Sequence, residues 1–199
     1  MQRLNSLMEN DFFAYLGRLK YIKRWSLMHS TVEENVMEHS WMVVTIAHLL
    51  AIIENKIYGG NVDECLVICL AQYHETSEVI TGDLPTPIKY FNSQINSAYK
   101  DLEVMSSEKL LGMMPEELKE SYKQYVLPDH DSQEYKLMKY ADRICAYIKC
   151  KEEIRSGNRE FIKAEEGIWK EIKKIKERSV GYFIKHILPS FDKSLDELK

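Results

Sequence analysis

Glycine and proline are scarce in this chain, 8 and 5 residues among 199. With no low-complexity linker either, loop-dominated folds are disfavoured and disorder is expected only toward the termini. Excess positive charge is also missing. Lys and Arg number 27 against 31 Asp and Glu, a formal net charge of −4, which leaves no basic footprint for polymeric nucleic acid or an anionic membrane. Cysteine is limited to Cys65, Cys69, Cys145 and Cys150, without a C-x-x-C pair; all four are expected as buried reduced thiols rather than zinc ligands or disulfides. Met1 to Asn5 leads into no apolar run of the signal-peptide kind. The longest apolar run, Trp41 to Ile53, is too short to span a bilayer and carries His48. Strand-like alternation and internal repeats are absent. These absences point to a cytoplasmic, all-α, single-domain protein over residues 1–199, whose partner is a small molecule or another protein.

Helical periodicity fills the space left by those exclusions. A chain of this length buries roughly 70% of its unfolded surface, so it needs no disulfide or metal to fold. Asn10-Asp11 predicts a helix start, with Phe12, Phe13, Leu16 and Leu19 on one face and an end near Trp25. His39, Val43, Ile46, Leu50 and Ile53 fall on one stripe of the next helix, which Gly59-Gly60 ends. Asn61 is expected to cap the third, on which Val62, Leu66, Cys69, Leu70 and Tyr73 recur at helical spacing. Further helices are expected over Gln94 to Met113, from Pro115 toward Pro128, and from Asp131 onward, where Tyr135, Met138, Asp142, Cys145 and Lys149 share a face. Residues 159–199 read as covering helices with a charged outer face, the last segment running from Tyr182 to Leu188.

Three of these apolar stripes are interrupted by a ligand-type group: His39, the His74-Glu75 doublet and Asp142. Two imidazoles and two carboxylates suit a divalent transition metal such as Mn, Fe, Co, Ni or Zn, and one ion could satisfy all four. Singly, His39 could be a hydrogen-bonded core histidine and Asp142 the partner of Arg143. Glu78 lies one turn beyond His74, and Asp83 sits on the Gly82-Asp83-Leu84-Pro85 turn. Carboxylates so placed are candidates for proton transfer or for gripping a ligand hydroxyl, although Asp83 also suits a plain turn. Arg24-Trp25 could clamp a phosphate and wall off a sugar or base, or be a surface pair at a helix end.

At these positions the chain resembles a known family. Arg18-Leu19-Lys20 with Arg24-Trp25, Glu34-Asn35-Val36-x-Glu38-His39-Ser40, Ala141-Asp142, and the long motif from Tyr73-His74 through Ser77-Glu78-Val79 and Thr81-Gly82-Asp83-Leu84-Pro85-Thr86-Pro87 to Lys89-Tyr90-Phe91-Asn92 are similar to bacterial 5′-deoxynucleotidases of the HD-domain phosphohydrolase superfamily. The resemblance runs from about residue 11 to Glu197. It implies an HD-type helical bundle, and a specific chemistry: removal of the 5′-phosphate from deoxyribonucleoside monophosphates by a homodimer.

By matching position, His39, His74, Glu75 and Asp142 would bind the metal, with His39, Glu75 and Asp142 also facing the substrate. Arg24 would orient the phosphate, Trp25 would crowd the sugar C2′, Glu78 would take part in proton transfer, and Asp83, Leu84, Pro85 and Thr86 would hold the nucleoside. The family's doublet is His-Asp, whereas position 75 here is Glu. Two alternatives remain open from the sequence: an HD phosphohydrolase acting on another nucleotide, and a non-enzymatic nucleotide-binding protein with a weakened metal site.

Overall fold

The structure, a computed structural model, describes residues 10–199, so the reading of Met1 to Asn5 lies outside it. Among the described residues the chain forms ten α-helices: α1 (Phe12–Leu16), α2 (Val36–Tyr58), α3 (Glu64–Tyr73), α4 (Glu78–Thr81), α5 (Thr86–Lys89), α6 (Ser93–Leu111), α7 (Glu116–Val126), α8 (Gln133–Arg155), α9 (Ile162–Ile172) and α10 (Arg178–His186). No strand occurs among them, only an isolated antiparallel bridge between Lys23 and Asn35. The all-α expectation holds.

Helix α2 is the axis of the bundle, and its start is written locally. The Asn35 side chain accepts from the Glu38 N–H at 2.9 Å, while the Glu38 carboxylate accepts from the Asn35 N–H at 3.2 Å. This reciprocal box satisfies two donors that a helix start leaves orphaned. At the far end Gly59 takes φ 70°, a left-handed cap that glycine adopts without a Cβ clash. Between the caps, His39, Val43, Ile46, Leu50 and Ile53 are all buried, as their spacing predicts.

The capped helix extends beyond the Trp41 to Ile53 run in both directions. At 23 residues it is long and apolar enough to cross a membrane by length and composition, which corrects the expectation drawn from the run alone. Half of its most apolar window is nevertheless buried inside the protein.

Helices α3 and α8 pack on α2 and on each other, forming one core with Val67, Leu70, Leu137, Met138, Ala141 and Ile144. Helix α9 covers α8, and α10 packs against α2, where Arg178 pairs with the buried Glu54 at 3.1 Å. A second cluster of Phe12, Leu110, Leu111, Met114 and Val126 lies under α1, α6 and α7, with Tyr73 and Val79 at its edge. The turn that follows α3 is thus wedged between two apolar clusters.

Several local expectations are corrected. The first helix stops at Leu16 with Gly17 as its cap, a 3-10 turn covers Leu19–Tyr21, and Ile22 is extended. Backbone pairing explains the change: Val36 N–H donates to the Ile22 carbonyl at 3.0 Å and Arg24 N–H to the Glu34 carbonyl at 2.9 Å, which no continuing helix would allow. Asp63, not Asn61, caps α3, its carboxylate accepting from the Leu66 N–H at 3.0 Å. Helix α10 opens at Arg178, earlier than Tyr182, since Val180 and Phe183 supply its buried face. All four cysteines are free, but Cys65 is exposed and Cys69 half-buried because they sit on the outer side of α3; only Cys145 and Cys150 are buried.

Candidate functional site

Three helices deliver the candidate ligands. His39 lies one turn inside α2 and is fully buried. His74 and Glu75 follow directly where α3 ends, in a turn closed by Thr76 N–H to the Tyr73 carbonyl at 3.1 Å and Glu78 N–H to the Glu75 carbonyl at 3.0 Å. Asp142 comes from the inward face of α8. One donor atom from each of these four side chains lies within 4.8 Å of all the others. That spread is close to the separation of about 4 Å between ligands on opposite sides of a cation bound at about 2 Å.

The hydrogen-bond pattern supports that fit. His74 Nδ1 lies 2.7 Å from the Ala71 carbonyl, which can only accept, so Nδ1 donates and Nε2 is the ring nitrogen turned toward the cluster. Nε2 is buried without a hydrogen-bond partner and stands 3.2 Å from Glu75 Oε1, out of line for a hydrogen bond. A buried ring nitrogen left without a partner beside a carboxylate oxygen is a polar group that a bound cation would satisfy. His39 Nε2 meets Asp142 Oδ1 at 3.0 Å, and its Nδ1 has no partner. Burial, with Arg24 acting in the same sense, pushes His39 below its ordinary value against the pull of Asp142, which favours the neutral ring that ligates metals.

Burial works to raise both carboxyl groups, but their neighbours win. His74 beside Glu75, and the Lys139 charge together with the His39 hydrogen bond at Asp142, hold these acids below the usual carboxylate range. Both are therefore anions at neutral pH. The longer arm at position 75 still brings Oε1 into the cluster and to 3.7 Å from Arg24 Nη1.

Arg24 and Trp25 are not at a helix end. They stand on a loop beside the cluster, where Arg24 Nε also pairs with Glu34 Oε2 at 3.0 Å and the guanidinium side chain is only 12% exposed. Trp25 has φ 58°, the sole non-glycine residue with positive φ among the described residues, and its ring packs on Phe161 at 5.3 Å between centroids. Left-handed backbone at a bulky residue costs of order 1–3 kcal/mol and persists only where the surroundings enforce it.

Glu78 is buried, with Oε2 unpartnered. Burial, reinforced by the Glu75 and Asp83 charges and opposed by Arg24, pushes its carboxyl up to about 10. Asp83 is raised by burial and by Glu75, while Arg24 and the Trp25 backbone act against that shift. Leu84 and Pro85 are half-buried on the turn leading to α5, and Thr86 is exposed at its start; their side chains make no hydrogen bond to the four donors.

Sequence reasoning missed two neighbours of the cluster. Lys139 donates to Asp142 Oδ2 at 2.7 Å, and Glu34 grips Arg24. The first was legible as the i, i+3 spacing on α8. The suggested Asp142–Arg143 pair does not form, because Arg143 points outward to Glu171 at 3.2 Å.

A helical bundle that gathers these groups from three helices has known counterparts. The fold matches an HD-domain phosphohydrolase from Listeria innocua with a TM-score of 0.80 and 26% identity, over 91% of this chain and 88% of that one. It also matches a cyanophage S-2L HD phosphohydrolase, solved bound to dA and one catalytic Zn2+ ion, with a TM-score of 0.62 over 91% and 96% of the two chains; at 16% identity that likeness is one of fold. The class is thus the HD-domain phosphohydrolases. Within it, a 5′-deoxynucleotidase from Vibrio vulnificus (strain YJ016) is 46% identical over 193 residues, 96% of this chain and 100% of that relative. The model of the YfbR-like 5′-deoxynucleotidase family matches residues 11–191, and the chain belongs to this family.

Proposed function

We propose that this protein is a metal-dependent phosphomonoesterase that hydrolyses deoxyribonucleoside 5′-monophosphates to deoxyribonucleoside and phosphate. The observation that carries the reading is the meeting of His39, His74, Glu75 and Asp142 within 4.8 Å, with the Arg24 guanidinium at their edge. Those four side chains would hold the divalent cation, whose chemistry when bound would be to polarise a phosphoryl oxygen and lower the pKa of a water. Zinc, manganese, iron, cobalt and nickel all suit the donor set.

This chain's own groups supply the rest. Arg24 stays charged because Glu75, Glu34, Asp142 and Asp83 outweigh its burial, and its planar fork matches two phosphate oxygens. Its partner at 3.7 Å, Glu75, is the anion from which an incoming phosphate would compete for it. Glu78, holding a proton at neutral pH, would pass one toward the departing sugar oxygen. Asp83, Leu84, Pro85 and Thr86 line the nucleoside side, with the Asp83 carboxylate available to a sugar hydroxyl.

Metal analysis of protein purified without chelator, followed by phosphate release from dAMP and AMP, tests the reading. A bound divalent ion and faster release from dAMP are the expected results; metal-free protein that binds nucleotide without turnover would establish the non-enzymatic alternative instead. Trp25 is the residue to probe for sugar choice. Trp25→Ala should raise the kcat/KM for AMP relative to dAMP by about 10- to 100-fold, the range that one shape contact in a pocket controls. An unchanged ratio would remove Trp25 from the sugar site.

The same reading takes the protein as a cytoplasmic homodimer, as family resemblance implies. Trp41, Tyr90 and Phe91, each more than 60% exposed in the single chain, offer apolar surface for such contacts, and light scattering of the purified protein measures the state directly.

A further inference from the structure

The far part of the loop between Ile22 and Val36 is fastened by something other than a hydrophobic core. Its neck is closed by the Lys23–Asn35 bridge and Trp25 packs on Phe161, but Leu27 and Val32 are 66% and 67% exposed, so apolar burial does not hold the 29–32 segment down. One carboxylate does. Glu153 of α8, 1% exposed, accepts on Oε2 from the Thr31 N–H at 2.8 Å, the Thr31 hydroxyl at 2.7 Å and the Asn158 side-chain amide at 2.9 Å. On Oε1 it accepts from the Val32 N–H at 3.2 Å and the Lys149 ammonium at 2.6 Å.

Lys149, also buried, donates in turn to the Val32 carbonyl. The Asn158 amide bridges to the His29 carbonyl at 2.7 Å, and the His29 N–H reaches Glu160 at 3.2 Å. A buried ion pair is on average no better for stability than apolar side chains of the same volume. Directionality is what it adds: donors converging on two oxygens fix the register of the loop against α8.

Helix α8 also carries Asp142, eleven residues before Glu153 and therefore about 16 Å away along one rod at 1.5 Å per residue. A single helix thus sets the position of a cluster carboxylate and of the loop that bears Arg24 and Trp25. We propose that Lys149 and Glu153 are positioning residues for nucleotide recognition, latching the 29–32 segment so that Arg24 and Trp25 face the cluster. They set nucleotide affinity and sugar discrimination without touching nucleotide or metal. The proposal rests on the roles given above to Arg24 and Trp25.

Two variants test it. Glu153→Gln keeps the shape of the side chain and removes its charge, and Thr31→Ala deletes one donor from an exposed residue and so spares the fold. For each, hydrogen exchange over residues 26–34, manganese affinity in the absence of nucleotide, and kcat and KM for dAMP and AMP are measured. Exchange should quicken in both. KM for dAMP should rise about tenfold in Glu153→Gln and about threefold in Thr31→Ala, with the dAMP preference falling in step, since small misplacements of a positioning group cost up to about 100-fold. Manganese affinity and kcat at saturation should stay within about twofold of the starting protein.

Faster loop exchange with unchanged KM and preference would reduce the latch to a structural contact and overturn the proposal. So would unchanged exchange, or a loss of manganese affinity in parallel with KM. If Glu153→Gln does not fold, Thr31→Ala decides alone by the same criteria. Failure of the underlying reading looks different: the unmodified protein then shows no preference for dAMP, or Trp25→Ala leaves that preference intact, and the proposal falls with it.

Discussion

Asp142→Ala and His74→Ala are each expected to abolish retention of a divalent ion and to lower phosphate release from dAMP by at least about 1,000-fold. The magnitude follows from losing several kcal/mol of transition-state stabilisation at 1.36 kcal/mol per factor of ten. Both residues hold their partners tightly: Asp142 bonds His39 at 3.0 Å and Lys139 at 2.7 Å, and His74 turns Nε2 inward through its bond to Ala71. Removing Asp142 leaves the Lys139 ammonium and the His39 ring without their anion, so a fall in melting temperature should accompany the loss of metal. His74→Ala deletes an unpartnered ring nitrogen and should cost less stability for the same loss of activity. Calorimetric metal titration and a phosphate assay read both effects. Either variant turning over at the rate of the unmodified protein would be incompatible with the proposed mechanism.

Glu78→Gln is the second large effect, and it separates proton transfer from binding. The variant should retain metal and nucleotide while kcat falls about 100- to 10,000-fold, the range that general acid-base catalysis contributes. The pH dependence has a definite sign. In the metal-free protein the Glu78 carboxyl is pushed up to about 10, above its ordinary value of 4.5. Folded protein then holds a proton that the unfolded chain has released. The stabilisation from this group is full below about 4.5, and it is lost as pH rises through about 10.

Glu78→Gln, which cannot ionise, should therefore flatten the loss of stability of the metal-free protein at high pH. A bound cation beside Glu75 lowers the Glu78 pKa, because it neutralises the charge that helps to raise it. The basic limb of the kcat profile should consequently lie below pH 10 in the loaded enzyme and vanish in Glu78→Gln. Thermal melts across pH with and without manganese, alongside the rate profile, measure both. A variant with near-normal kcat would assign the proton to another group.

Other elements show where local sequence is sufficient and where it is not. Helix α2 could be read from Asn35 and Glu38 at its start, the stripe from His39 to Ile53, and Gly59 at its end, because caps and periodicity act over a few residues. The segment from Arg18 to Trp25 could not. Its apolar spacing is helical, yet Ile22 pairs with Val36 and Arg24 with Glu34, partners ten or more residues away that no local window contains. Cys65 is likewise helical in pattern but faces outward, since which side of α3 is covered depends on where α2, α7 and α8 pack.

By itself, then, the sequence determined the helical class, the glycine end of α2, and the identity of the ligand-type residues on three apolar stripes, since each is a matter of residue type and short-range spacing. It also carried the family's long motif from Tyr73 to Asn92. Only the tertiary structure decided that the His39, His74, Glu75 and Asp142 donors come within 4.8 Å, that Lys139 rather than Arg143 neutralises Asp142, and that Glu153 fastens the loop bearing Arg24 and Trp25. The reason is physical: helix faces are fixed by a 3.6-residue period, but the direction of a half-buried charge is fixed by which opposite charge or unsatisfied amide the packed chain brings to it.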